Sequence, residues 1–121
     1  MHELSIIQSV IKTVLKNYRP EEDEKITSVS LVMGAMNDYE EYWMNRYFAR
    51  ASAGTALEGA VLKLTVVPVS FRCLNCGRVF EMVREKLFEA SDVSCPCCKS
   101  LNYEMKTGRE FYVKEIEVEK T

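Results

Sequence analysis

The chain has 121 residues, 47% of them hydrophobic and 28% charged, with a formal net charge of −2. That balance suits one folded domain or two small ones, is too apolar for a disordered chain, and offers no general attraction to nucleic-acid phosphates. No apolar run approaches the roughly 20 residues needed to cross a bilayer. The N-terminus also lacks the basic and short apolar regions of a signal peptide, so no membrane association and a cytoplasmic location are expected.

Leu4, Ile7, Ile11, Val14, Leu15 and Tyr18 recur at helical spacing, with Ser5, Ser9, Lys12 and Lys16 opposite. The pattern predicts an amphipathic helix over 4–18, ended by Pro20. "EEDEK" at 21–25 reads as a solvated connector. "ITSVSLVMG" then alternates through Val29, Leu31 and Met33 as a strand stopped by Gly34.

"NDYEEYWMNRYFARA" returns to helical spacing. Asn37 or Asp38 is the expected N-cap, and Tyr39, Trp43 and Tyr47, with Met44 as a further candidate, form a stripe expected to be core. "AGTALEGA" is loop, and "VLKLTVVPVSF" reads as one strand carrying Pro68 near its end. The C-terminal segment predicts strand, turn at Thr107-Gly108, strand. In that last strand Phe111 and Val113 share one parity while Ile116 and Val118 share the other. A bulge or a change of packing partner near Lys114-Glu115 is therefore expected.

Five cysteines in a reducing compartment read as metal ligands more readily than as disulfides. "CLNC" at 73–76 and "CPCC" at 95–98 give two close pairs eighteen residues apart, a zinc-ribbon spacing. Two thiolates three positions apart in a tight turn can reach one tetrahedral ion. Four of them close its coordination shell, so the metal would be structural. Cys95 can pair with Cys97 or Cys98. Matching the spacing of Cys73 and Cys76 favours Cys98 and leaves Cys97 spare.

His2 is the only histidine. Beside it lies the α-amino group of Met1, and both groups deprotonate readily near neutrality. Residues 2 and 3 also stand at a helix start, where backbone N–H groups have no intrahelical partner. Amine, amide and imidazole nitrogens suit square-planar Ni(II) or Cu(II). Glu3 offers a carboxylate ligand, a charge at the positive helix end, or an ordinary first-turn residue.

With "MHELSI", "LVMGAM", "GTALEGAVLKL", the paired "CLNC" and "CPCC", and "GREFYVKEIEVE", the chain resembles the HypA/HybF family of nickel-insertion proteins over nearly its whole length. The resemblance implies an α+β fold: a nickel-binding domain of two helices on a three-stranded sheet, with an inserted zinc-ribbon-like domain. The implied boundaries are 1–70 plus 108–121 for the first and 71–107 for the second. Met1 (through its amine), His2 and Glu3 would bind the transferred Ni(II), and Cys73, Cys76, Cys95 and Cys98 the structural Zn(II). Family members work with the GTPase HypB, deliver nickel to the large subunit of [NiFe] hydrogenase, and in some cases serve urease maturation. The second cysteine pair departs from the usual Cys-Pro-x-Cys-Gly form at Cys97 and Lys99.

The expected role is a metallochaperone and not an enzyme, because no nucleophile–base pair or phosphate-binding loop is visible. Two alternatives share the cysteine spacing. One is a zinc-ribbon module that binds nucleic acid or protein, against which the net charge counts. The other is a rubredoxin-like electron carrier holding iron.

Overall fold

The first amphipathic segment forms helix α1 (Glu3–Asn17), one residue displaced from the span its periodicity predicts. Its buried side chains are Glu3, Ile7, Val10, Ile11 and Val14, one polar group on an otherwise apolar stripe. The computed structural model describes residues 3–83 and 94–120 of the chain. Met1 and His2 lie outside the described residues.

After α1, Tyr18 donates its hydroxyl to Glu24 Oε1 at 2.9 Å, and the Glu21 N–H reaches the same oxygen at 2.9 Å. These bonds close the turn into strand β1 (Glu24–Gly34). Helix α2 (Glu41–Ala51) follows, then β2 (Val61–Val67), β3 (Val69–Cys73), β4 (Val79–Met82), β5 (Tyr103–Thr107) and β6 (Phe111–Lys120). The strands make two three-stranded sheets, ordered β2-β1-β6 and β4-β3-β5. Two helices with a three-stranded sheet and a second, cysteine-bearing sheet is the α+β architecture the sequence implied.

The single strand expected across Pro68 is two. Pro68 has no N–H for a ladder and separates β2 from β3, which belong to different sheets. In β6 the exposure alternates to Lys114, repeats at Glu115, and alternates again. The one-residue slip falls where the parity of the apolar residues places it.

Two compact units result, the first made of residues 1–32, 38–65 and 112–121, the second of 33–37 and 66–111. The first buries Ile7, Val10 and Val14 of α1, Met44 and Phe48 of α2, and Ile26, Val29 and Leu31 of β1. On its sheet, Glu117 of β6 accepts bonds from Ser28 of β1 and Lys63 of β2, tying three strands together. Those two donors, Lys63 first, hold the Glu117 carboxyl below the usual carboxylate range.

Of the stripe expected as core, Met44 is buried but the aromatic members are not. Met44 and Phe48 are buried, whereas Tyr42 and Trp43 are exposed and Tyr47 is half-buried. Tyr42 and Trp43 meet edge to face, and Trp43 stacks on Tyr47 at 5.7 Å between centroids. The expected caps are also reassigned. Glu40 is the N-cap and makes no side-chain cap bond. Asn37 instead donates through Nδ2 to the carbonyls of Gly34 and Glu110.

In the second unit, β3 is the central strand, antiparallel to both β4 and β5, with Phe71 opposite Phe80 and Met105. Phe71, Phe80 and Tyr103 form a ring triad with centroids 5.1 to 5.9 Å apart. Gly34 packs so closely on the Gly108 carbonyl that a Cβ has no room there. The close approach lets the Gly34 N–H bond Glu110 and the Met36 N–H bond Gly108.

Candidate metal centre

The second unit's core consists of Val69, Phe71, Cys73, Phe80 and Cys95. Among the described residues, two of these five buried members are cysteines, so the thiol cluster and the hydrophobic core are one structure. β3 ends at Cys73, which shares the buried cluster with Phe71 and Phe80 of the ring triad.

Each cysteine pair sits in a turn built by the same bonds. In the first, the Cys73 N–H donates to Arg78 O at 2.9 Å and the Gly77 N–H to Cys73 O at 2.9 Å. In the second, the Cys95 N–H donates to Ser100 O at 3.0 Å and the Lys99 N–H to Cys95 O at 2.9 Å. Gly77 and Lys99 occupy equivalent positions and both are left-handed, with φ of 79° and 65°. A glycine adopts that conformation freely; a lysine does so at a cost of about 1–2 kcal/mol. The departure at Lys99 thus keeps the turn but strains it. Lys99→Gly is expected to raise the stability of the metal-loaded second unit by about 0.5–1 kcal/mol, after the entropy lost by glycine is subtracted. Thermal unfolding followed by tyrosine fluorescence checks this.

The two turns bring together the Sγ atoms of Cys73, Cys76, Cys95 and Cys98, all within 4.8 Å of one another. Cys73 and Cys98 sulfurs are 3.5 Å apart, and Cys76 and Cys95 sulfurs 3.7 Å. A tetrahedral ion with Zn–S bonds of about 2.3 Å requires sulfur separations of about 3.8 Å. The donor set fits that ion. Cys97 is exposed and stands outside the cluster, so the structure gathers the four sulfurs that the spacing favoured.

Hydrogen bonds aim at the sulfurs as they would at thiolates. Asn75 Nδ2 donates to Cys98 Sγ at 3.6 Å, and the Cys76 N–H donates to Cys73 Sγ at 3.4 Å. The Asn75 amide, followed by the Ser100 backbone N–H, brings the Cys98 thiol down to about 6. Cys95 is lowered too, first by the Cys98 backbone N–H. The Arg78 backbone N–H pulls Cys76 down, yet desolvation and its three sulfur neighbours drive it up to about 12. Cys76 therefore resists ionisation among its sulfur neighbours unless a cation joins them.

At the other expected site only Glu3 is described. It is 6% exposed, and its Oε2 accepts the Glu40 N–H at 3.4 Å. Its own backbone N–H lowers the carboxyl, burial opposes this, and the Glu40 N–H lowers it further. Glu3 of α1 thereby accepts the N–H of Glu40, the N-cap residue of α2, a donor with no partner inside its own helix. No sequence signal pointed to this contact, which joins residues 37 positions apart.

A two-helix α+β unit in one chain with a sheet carrying four convergent thiols defines a small metal-handling protein. The family model described as "Hydrogenase/urease nickel incorporation, metallochaperone, hypA" matches residues 1–118. The hydrogenase maturation factor HypA of Lawsonia intracellularis is 31% identical over 98% of this chain and 100% of that relative. HypA of Caldanaerobacter subterraneus is 32% identical over 98% and 100%. The solution structure of the Ni metallochaperone HypA from Helicobacter pylori aligns over 97% of each chain with a TM-score of 0.56 and 24% identity, a likeness of fold. The chain belongs to the HypA family of nickel metallochaperones for hydrogenase maturation.

Proposed function

We propose that this chain binds Ni(II) at its N-terminus and hands it on during maturation of a [NiFe] hydrogenase, acting as a carrier and not as an enzyme. The observation that carries the reading is the family match, which runs from residue 1 to residue 118 and so includes both the terminal residues and the cysteine pairs. The nickel donors are the Met1 amine, His2 and Glu3. Glu3 offers a carboxylate ligand or a negative charge beside the cation, and its Oε2 also accepts the Glu40 N–H. A nickel ion held by a few nitrogen donors at a chain end can leave by stepwise exchange of ligands.

Zn(II) held by Cys73, Cys76, Cys95 and Cys98 supplies structure, because a four-thiolate shell leaves no position for water or substrate. The nickel domain comprises residues 1–70 and 108–121, with the zinc domain, 71–107, inserted between its strands. The partners are a HypB-type GTPase and the hydrogenase large subunit, with urease maturation proteins as further recipients. The setting is cytoplasmic, in keeping with described helices none of which is long and apolar enough to cross a membrane.

The test is complementation. Cells lacking this protein should regain hydrogenase activity when supplied with the intact chain, and should stay inactive with His2→Ala although that variant accumulates to the same level. Equal rescue by His2→Ala would remove the terminal site from the function.

A further inference from the structure

The edge of the β2-β1-β6 sheet carries a feature that metal handling does not use. Among the described residues β6 is an outer strand, and it is ten residues long. Such an edge presents a row of main-chain donors and acceptors to any extended chain that lies alongside. Beside it runs a groove of about 350 Å³, lined mainly by carbon, with Val14 of α1 and Tyr18 just after it on one wall and Val113 and Ile116 of β6 on the other.

Past the slip at Lys114–Glu115, the strand sorts its side chains by chemistry. Ile116 and Val118 are half-buried, whereas Glu115, Glu117 and Glu119 are exposed and alternate with them. Glu117 is held by Lys63 and Ser28. Among the described residues, no ion pair engages Glu115 or Glu119.

We infer that β6 is a docking edge for an extended segment of a partner protein whose residues alternate between apolar and basic. Main-chain bonds would continue the sheet. The apolar side chains would extend the row of Ile116 and Val118 over the groove, and lysines or arginines would meet Glu115 and Glu119. A second copy of this strand fits worse. Two-fold antiparallel pairing sets residues of equal parity opposite each other. With its centre anywhere from 115 to 119, it places one of these three carboxylates opposite another, which is repulsive.

The experiment uses the full-length, zinc-loaded chain and three fluorescent peptides of about nine residues, the length of one strand. One alternates valine and lysine, one alternates valine and glutamate, and one is the valine–lysine peptide with a central proline. Fluorescence anisotropy at near-physiological salt should show binding of the first and none of the second. Proline, which deletes a ladder donor, should weaken binding about tenfold or more. The double variant Glu115→Lys, Glu119→Lys should reverse the preference between the two unbroken peptides. Both positions are exposed, so an unchanged melting temperature confirms that the fold is intact. Amide shifts on binding should concentrate in residues 113–120. Failure of the valine–lysine peptide to bind overturns the inference. So does equal binding of the proline peptide, which would mean charge attraction alone, or an unaltered preference in the double variant.

Discussion

Serine in place of Cys73 or Cys95 should expel the metal and dissolve the packing of the second unit, leaving the first unit folded. These two side chains are 1% and 0% exposed and belong to a core that has three other buried members among the described residues. A structural zinc site contributes apparent free energies of about 10–16 kcal/mol, more than so small a core can replace. Cys76→Ser and Cys98→Ser should also lose the metal, since each removes one corner of the tetrahedron. Cys97→Ser should keep it. The chain reports on its two halves separately. Trp43, the only tryptophan, lies in the first unit, and Tyr103 lies in the ring triad of the second. Loss of zinc should therefore change tyrosine signals and abolish the amide dispersion of residues 66–83 and 94–111, while tryptophan emission and the helical circular dichroism persist. Zinc retained in Cys98→Ser but lost in Cys97→Ser would show that the fourth thiol is Cys97.

The cysteine cluster was legible because its geometry is local. Two residues three apart in a tight turn converge whatever the rest of the chain does, and only the meeting of the two turns needs the fold. The first helix and the slip in β6 were legible for the same reason, since each is written in the period of its own apolar residues. What the sequence hides is the choice among equivalents. In and just before α2, Tyr39, Trp43 and Tyr47 form one aromatic stripe, and Met44 borders both it and the position of Phe48. Helical periodicity allows either grouping and ranks neither. The neighbour that covers the helix decides, and α1 packs against α2 in this chain.

The helix start was misread because its capping is not local. Asn37 has the composition of a cap, yet its amide bridges two carbonyls near the Gly34–Gly108 approach. The acceptor for the Glu40 N–H arrives from Glu3, on another helix. Lys99 shows the opposite case. Its type argues against a left-handed turn, and the turn forms regardless, because it repeats the bonds of the Gly77 turn and holds two of the four sulfurs.

The central claim is that the free N-terminus is itself a nickel ligand, so position matters as much as side chain. A Gly-Ser extension before Met1 preserves His2 and Glu3 but converts the basic amine into an amide. The intact, zinc-loaded chain should bind Ni(II) with the yellow, diamagnetic spectrum of a square-planar nitrogen site. His2→Ala and the extended chain should both lose that spectrum while keeping their zinc and their thermal transition, because the buried face of α1 is untouched in each. Nickel titration of the extended chain is the direct measurement. The predicted result is no square-planar signal at one equivalent of Ni(II). An extended chain that binds nickel as tightly, with the same spectrum as the intact one, would contradict the account.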